Sequence, residues 1–137
     1  MEECIFCKII RGEIPCHKIL EDDEVLAFLD INPVSRGHTL VIPKQHYENM
    51  MDTPKDIRER VLEISKDLAI QYKNLLKADG FNFLNSSGRA AQQSVFHFHI
   101  HLVPRYENDS NNLWFSVKNK EKIDLEKTRA LLATNLN

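Results

Sequence analysis

The alternation of apolar and polar positions predicts one long helix between two groups of strands. Apolar residues recur at spacings of three and four from residue 54 to about residue 77, which is the period of an amphipathic helix. Thr53 suits the N-cap of this helix, Pro54 its first position, and Gly80 lies just beyond its end. The apolar stripe consists of Ile57, Val61, Ile64, Leu68, Tyr72, Leu75 and Leu76.

Shorter apolar segments predict five strands and two further helices. The strands comprise residues 18–20, 24–29, 38–42, a segment starting at Phe81, and 95–103, the last ending at Pro104. A brief helix is predicted at residues 5–10 and an amphipathic one at about 124–132. Because the long helix separates the strands instead of alternating with them, the order favours an α+β fold with an antiparallel sheet.

Three of the six histidines occupy alternate positions in the last predicted strand. Side chains alternate between the faces of a strand, so His97, His99 and His101 share one face. The row suits a nucleophile, a proton carrier or a metal ligand, because imidazole serves all three roles near neutral pH. A polar strand face that happens to be rich in histidine is the alternative. The opposite, apolar face would hold Phe96, Phe98, Ile100 and Leu102.

Composition limits the classes of function. The chain has 137 residues, enough for one domain with its own core, and we expect residues 1–137 to form a single domain. A formal net charge of −2 disfavours general binding to nucleic acid. No apolar run is long enough to span a membrane, and the first residues do not resemble a signal peptide. These features favour a cytoplasmic protein that binds neither nucleic acid nor membrane.

Two of the three cysteines form the pair Cys4-x-x-Cys7 near the amino terminus. In a reducing compartment this spacing favours metal chemistry over a structural disulfide. Two imidazoles would complete a tetrahedral zinc site, and His46 with His97 is one such pair. Spacing alone does not select these two among six histidines. Two small apolar side chains on a short helix remain the alternative interpretation.

A polar segment, residues 85–94, leads directly into the histidine row. Its hydroxyl, amide and backbone N–H groups suit phosphate oxygens, and Arg89 and Arg105 would add charge-assisted hydrogen bonds. Taken alone, the segment is also consistent with an ordinary polar loop.

Residues 97–103 match the pattern His-φ-His-φ-His-φ-φ, in which φ is apolar, and residues 4–10, 25–31 and 37–44 extend the match. From Cys4 to about Tyr106 the sequence resembles the histidine triad (HIT) family, closest to small bacterial members of the branch that contains nucleoside phosphoramidases. The resemblance implies a five-stranded antiparallel sheet with one long helix and shorter terminal helices. It also implies a core at residues 4–106, a C-terminal extension at 107–137, and a homodimer with a continuous sheet.

The resemblance further implies a nucleotide hydrolase or transferase that acts on nucleoside phosphoramidates or dinucleoside polyphosphates. His99 would attack the α-phosphorus of a purine nucleotide conjugate and form a nucleotidyl-histidine. His38, His101 and Ser94 would complete the catalytic group. The residues implied to bind the nucleotide are Ile5, Phe6, Ile9, Phe28, Asp30, Ile31, Asn85 and Gln93.

For the metal, the resemblance implies a structural zinc ion on Cys4, Cys7, His46 and His97, with none required for the chemistry. One position departs from the family pattern, since Gln92 stands where glycine is common. Two other functions are consistent with the sequence: a nucleotide-binding regulatory module with incidental catalysis, and a hydrolase that uses the histidine row as a catalytic zinc site.

Overall fold

The computed structural model describes residues 4–114 and 121–133, and the expected antiparallel α+β architecture is confirmed. The helices are α1 (Ile5–Ile10), α2 (Lys55–Leu75) and α3 (Leu125–Ala133), with a single 3₁₀ turn at Arg89–Ala91. The strands are β1 (Lys18–Glu21), β2 (Val25–Leu29), β3 (Thr39–Pro43), β4 (Gly80–Leu84) and β5 (Ile100–Arg105).

All neighbouring strands of the sheet are antiparallel, in the order β1-β2-β3-β5-β4. The central strands β2 and β3 are buried along nearly their whole length. β5 enters between β3 and β4, so the long helix α2 is the connection that carries the chain from β3 to the far edge. The histidine segment therefore leads into an interior strand, which limits its freedom to move.

The two faces of the sheet carry separate cores, because alternate side chains point to opposite faces. On one face Val25 and Ala27 pack with α2, while on the other Leu26 and Phe28 pack with α1. The segment before and within β5 follows the same rule. Its apolar members Phe98, Ile100 and Leu102 lie in the α2 core, which leaves the three imidazoles on the α1 face.

The last strand differs from the expected range. β5 begins at Ile100, so His97 and His99 precede it, because the amide of Phe98 donates to the carbonyl of Tyr47 in a loop and not to a strand. β5 also continues through Pro104 to Arg105. Proline fits there because the pairing of β5 with β3 stops at Leu102, so β3 offers no carbonyl that an amide at Pro104 would have to reach. On that side the Pro104 carbonyl accepts from Ser35 Oγ at 2.6 Å.

Two smaller expectations were wrong. The N-cap of α2 is Pro54, whereas Thr53 is buried and its hydroxyl donates to the carbonyl of Asn49 at 2.6 Å. Phe96 does not join the core: it is half-buried, with the Arg89 guanidinium 5.5 Å from its ring centre.

α3 is exposed along its whole length. Within residues 4–114 and 121–133, no helix combines the length and apolar character needed to cross a membrane.

Gly37 supports a testable prediction about the turn before β3. Its φ is +93°, and a Cβ there would lie 2.6 Å from Leu76 Cδ1 and 3.1 Å from Pro104 Cγ. Gly12 has a similar φ of +79° but open space around it. Both alanine substitutions should cost about 1–2 kcal/mol for the left-handed backbone. Gly37→Ala should cost more than Gly12→Ala, because the side chains of Leu76 and Pro104 would also have to shift to make room for the Cβ. Urea unfolding of the two variants measures this difference, and equal losses would contradict the predicted clash.

Candidate active site and metal centre

Two thiols and two imidazoles converge beside the start of α1. Cys4 and Cys7 come from α1 and its N-cap, His46 from the loop after β3, and His97 from the segment before β5. Their donor atoms all lie within 4.8 Å of one another. The structure thus selects His46 and His97, among the six histidines, as the partners of the cysteine pair.

The spacing of these donor atoms fits a tetrahedral metal ion. Ligands at zinc bond lengths would be about 3.3–3.8 Å apart along the edges of a tetrahedron. His97 Nδ1 lies 3.2 Å from His46 Nδ1, 3.4 Å from Cys4 Sγ and 3.7 Å from Cys7 Sγ. Cys7 Sγ lies 3.4 Å from His46 Nδ1. Burial and the neighbouring Cys4 raise the pKa of the Cys7 thiol to about 11, so a bound cation would be needed to hold this thiol as a thiolate at neutral pH.

The tautomer of His97 also suits a metal ligand. Its Nε2 lies 2.8 Å from the carbonyl of Pro43, which can only accept, so Nε2 carries the proton. Burial lowers the pKa of His97 to about 4, and the ring is neutral at pH 7. The lone pair of Nδ1 therefore points at the two thiols, in the arrangement by which outer hydrogen bonds orient metal-bound imidazoles.

A cavity of about 340 Å³ opens beside the cluster, between α1 and the sheet. Its apolar wall includes the expected Ile5, Phe6, Ile9, Phe28 and Ile31. Asp30 lies at its rim, and its Oδ1 accepts from the amide of Asn32 at 2.8 Å. His99, His101 and Ser94 also line this cavity, so the structure brings together an apolar wall, a carboxylate and two imidazoles.

His99 presents a free nitrogen to the cavity. Its Nδ1 lies 2.7 Å from the backbone carbonyl of His97, an acceptor, and so carries the proton. Burial lowers the pKa of His99, which favours the neutral ring. Nε2 then holds the lone pair on a side chain that lines the cavity and is 7% exposed. Phe6 packs edge-on against this ring, with the ring centres 5.2 Å apart.

His38 and His101 form a hydrogen-bonded chain with a defined direction. The amide of Val34 donates to His38 Nδ1 at 3.2 Å, so the neutral ring carries its proton on Nε2. That Nε2 lies 3.0 Å from His101 Nδ1, which accepts and leaves the His101 proton on Nε2. Burial lowers the pKa values of both rings, that of His101 to about 4. His101 is therefore a neutral hydrogen-bond donor at the cavity.

The same chain disfavours a catalytic metal ion on Asp30, His38 and His101, whose donor atoms also lie close together. The nitrogen of His38 that faces Asp30 and His101 is the one that carries its proton. If the proton of His38 moved to Nδ1, its N–H would face the amide N–H of Val34, and two donors would point at each other. This group is therefore better suited to relaying hydrogen bonds than to binding a metal.

The polar loop before the histidines is held by its own side chains. The side chain of Gln93 is buried: its Oε1 accepts from the amide of Gly88 at 2.8 Å, and its Nε2 donates to the carbonyls of Glu48 and Val95. Asn85 Nδ2 donates to the carbonyl of His99 at 2.9 Å. Neither residue is among those that line the cavity, so a contact between either one and a nucleotide stays a prediction.

Gln92 adopts the backbone conformation that favours glycine, with φ 70° and ψ 27°. Its side chain is exposed. The loop thus holds a non-glycine residue in a left-handed conformation, and the exposed side chain of Gln92 is compatible with the turn.

Sequence reasoning missed part of the cavity wall. Ile14, Pro15, Cys16 and Leu40 also line it. Leu40 follows from the alternation of β3, since it points to the same face as Phe28 on the neighbouring strand. The other three lie between α1 and β1, where no periodic pattern indicates which way they face. The backbone groups of Val34 and Pro43 were also missed, because a backbone group leaves no signal in residue type.

A family model described as the HIT domain matches residues 11–108, and the chain belongs to this family. A HIT-like protein from Methanocaldococcus jannaschii is 48% identical over 125 residues, which cover 90% of this chain and 93% of that protein. An adenosine 5'-monophosphoramidase from Candida albicans is 41% identical over 106 residues, which cover 74% of this chain and 70% of that protein. An adenylylsulfatase from Arabidopsis thaliana is 46% identical over 117 residues, which cover 83% of this chain and 57% of that protein.

Solved structures give the same family assignment. A HIT family protein from Bacillus anthracis has a TM-score of 0.82 and 40% identity, with 99% of both chains covered. A zinc-bound histidine triad family protein from Mycobacterium smegmatis has a TM-score of 0.79 and 38% identity, with 97% of this chain and 95% of that chain covered. The chain is thus similar to proteins named as hydrolytic enzymes and to one that binds zinc.

The neutral state of His101 predicts a pH dependence of stability. Its pKa is about 4 in the folded protein, compared with about 6.5 for a histidine side chain in an unfolded chain. Between these values the unfolded chain binds more protons, so the free energy of unfolding should fall as the pH falls through this window. Urea titrations at pH 7 and pH 5 measure the loss, and nitrogen-15 NMR follows the ring itself. A His101 ring that is protonated at pH 6 would contradict the assignment.

Proposed function

We propose that the protein is a nucleotide hydrolase or transferase that cleaves nucleoside phosphoramidates or dinucleoside polyphosphates at the α-phosphorus through a nucleotidyl-His99 intermediate. The free Nε2 of His99 in the cavity is the observation that carries this proposal. The relatives named as phosphoramidase and adenylylsulfatase support the reaction class. The apolar wall supports a nucleoside, and we propose a purine base there because a fused ring would contact more of that wall.

In the first step, the lone pair of His99 Nε2 attacks the α-phosphorus. A P–N bond forms while the bond from phosphorus to the leaving nitrogen or oxygen breaks, and its electron pair departs with the leaving group. The imidazole becomes cationic, and the Nδ1–H···O=C hydrogen bond to His97 stabilises that charge. Ser94, which lines the cavity, would donate a proton to the leaving group.

In the second step, water attacks the phosphorus of nucleotidyl-His99. The P–N bond breaks and its electron pair returns to His99 Nε2, while the water gives a proton to Ser94 to replace the one that Ser94 donated in the first step. The products are a nucleoside monophosphate and the neutral histidine. Attack by another acceptor in place of water would make the reaction a transfer.

His101 would stabilise the phosphoryl oxygens in both steps. Its Nε2–H is directed by the chain that begins at the Val34 amide and passes through His38. A donor fixed before the substrate binds stabilises developing negative charge without having to reorient. Asp30, at the rim of the same cavity, would accept the ribose hydroxyls.

We propose that the cluster of Cys4, Cys7, His46 and His97 binds a structural zinc ion. The four-donor geometry and the zinc-bound relative support this assignment. A closed set of four protein ligands leaves no open coordination position for substrate, so the ion would supply rigidity and not chemistry.

A homodimer and a cytoplasmic location also remain proposals. Within the described residues, β4 is an edge strand, and its Phe83 and Leu84 are 47% and 39% exposed. Exposed apolar side chains on an unpaired edge favour pairing with another strand, which fits a sheet that continues into a second copy of the chain.

The nucleophile can be tested by His99→Ala. We expect turnover of an adenosine phosphoramidate to fall by about 10⁴-fold or more, because removing a nucleophile removes the covalent route. Calorimetry should show that binding of adenosine monophosphate persists, since the apolar wall and Asp30 are intact. His17→Ala removes an exposed histidine outside the cavity and should leave turnover unchanged.

Intact-protein mass spectrometry after alkaline quench should detect the added nucleotidyl mass on the wild-type chain and not on His99→Ala. Full turnover by the variant would contradict the covalent mechanism. A wild-type protein that binds the nucleotide but turns over neither an adenosine phosphoramidate nor a diadenosine polyphosphate would instead favour the regulatory module.

The metal assignment is tested by elemental analysis of the purified protein. We expect about one zinc ion per chain, and Cys7→Ser should retain much less because it removes one of four ligands. Cys16→Ser is the matched control and should retain the full amount, since Cys16 lies outside the cluster. A wild-type protein that folds normally without metal and is indifferent to chelators would contradict the zinc site.

A further inference from the structure

The short helix α1 belongs to both sites at once. Cys4, its N-cap, and Cys7 supply the two thiols of the metal cluster. Ile5, Phe6 and Ile9 supply one wall of the nucleoside cavity. Because these residues alternate along six positions of one helix, α1 cannot move relative to one site without moving relative to the other.

α1 is too short to be stable by itself, since isolated helices below about 12 residues are marginal in water. Its attachment to the sheet depends on Phe6. The centre of the Phe6 ring lies 5.5 Å from the ring centre of Phe28, 5.8 Å from that of His97 and 5.2 Å from that of His99. Ile9 and Ile10 also pack against this core, and the metal cluster would add a further attachment, because two of its residues lie outside α1. The position of the cavity wall therefore depends on how firmly the cluster is held.

His97 provides a second connection between the sites. The imidazole of His97 faces the two thiols. Its backbone carbonyl oxygen accepts a hydrogen bond from His99 Nδ1, with 2.7 Å between the two atoms. The residue that would bind the metal thus also fixes the tautomer and direction of the proposed nucleophile. A change in the position of His97 would alter both.

We propose that metal binding at the Cys4–Cys7–His46–His97 cluster and nucleotide binding in the cavity are energetically coupled through α1 and His97, so that each ligand raises the affinity for the other. Metal binding would order α1 and His97, and a nucleotide that binds afterwards no longer has to order them itself. This proposal rests on the proposed function, because it takes the cavity as the nucleotide site.

The coupling is measured with adenosine monophosphate and zinc on the full chain. Calorimetry should show at least about tenfold weaker binding of adenosine monophosphate after zinc is removed by a chelator, within the usual range of such couplings. Competition with a chromophoric chelator should show that adenosine monophosphate raises zinc affinity by the same factor, since linkage is reciprocal. Far-ultraviolet circular dichroism should show that the sheet and α2 remain folded without zinc.

His46→Gln separates the two sites, because His46 is a cluster residue that does not line the nucleoside cavity. At limiting zinc this variant should bind adenosine monophosphate as weakly as the stripped wild type, and saturating zinc should restore the affinity. The matched control, His17→Gln, changes a histidine outside both sites and should bind both ligands like the wild type.

The outcomes are distinct. Equal affinity for adenosine monophosphate with and without zinc overturns the coupling and leaves the proposed function intact. No binding of adenosine monophosphate by the zinc-loaded wild type overturns the proposed function itself. Loss of the whole circular dichroism signal on zinc removal also overturns the proposal, since the effect would then be global unfolding and not a local connection through α1.

Discussion

The candidate active site depends on backbone groups that hold each imidazole in one tautomer. A carbonyl can only accept and an amide can only donate, so the partner of one ring nitrogen determines the state of the other. The Pro43 carbonyl leaves the lone pair of His97 facing the thiols, and the His97 carbonyl leaves that of His99 available in the cavity. The Val34 amide has the opposite effect on His38 and makes it a donor to His101. Three histidines that alternate regularly in sequence thus differ in what they present: His97 a lone pair to the thiols, His99 a lone pair to the cavity, and His101 an N–H donor to the cavity.

These backbone partners are available because of the sheet order. β5 lies between β3 and β4, which brings the segment before it alongside the end of β3 and the loop that follows. Pro43 is the last residue of β3, and Val34 lies in the loop that precedes that strand. The packing of Phe98, Ile100 and Leu102 against α2 fixes the register, and a shift of one residue would turn the imidazoles from the α1 face into the α2 core. The apolar core on one face therefore determines the chemistry on the other.

Periodicity predicted most of the fold and the set of side chains at the site, because both are consequences of which face a residue occupies. The long stripe of α2 and the alternation through Ile100 and Leu102 are features of this kind. The start of β5 was not predictable in the same way, since it depends on whether a neighbouring strand supplies hydrogen bonds at His97 and His99. Thr53 had the residue type of an N-cap, yet tertiary contacts placed its hydroxyl on Asn49. The tautomers depend on backbone atoms that are distant in sequence, and residue types carry no information about them.

The sharing of α1 between the two sites explains why a structural metal ion would be useful in so small a protein. The apolar wall of the cavity includes side chains that remain partly exposed, as the 45% exposure of Ile5 illustrates. Such exposed side chains gain little stability from their own burial, so contacts elsewhere on α1 have to hold this part of the wall in place. A core residue cannot do this from the cavity side without filling the cavity. A metal ion bound by Cys4 and Cys7, which lie on the same helix but face His46 and His97, would hold the wall from behind and leave the cavity open.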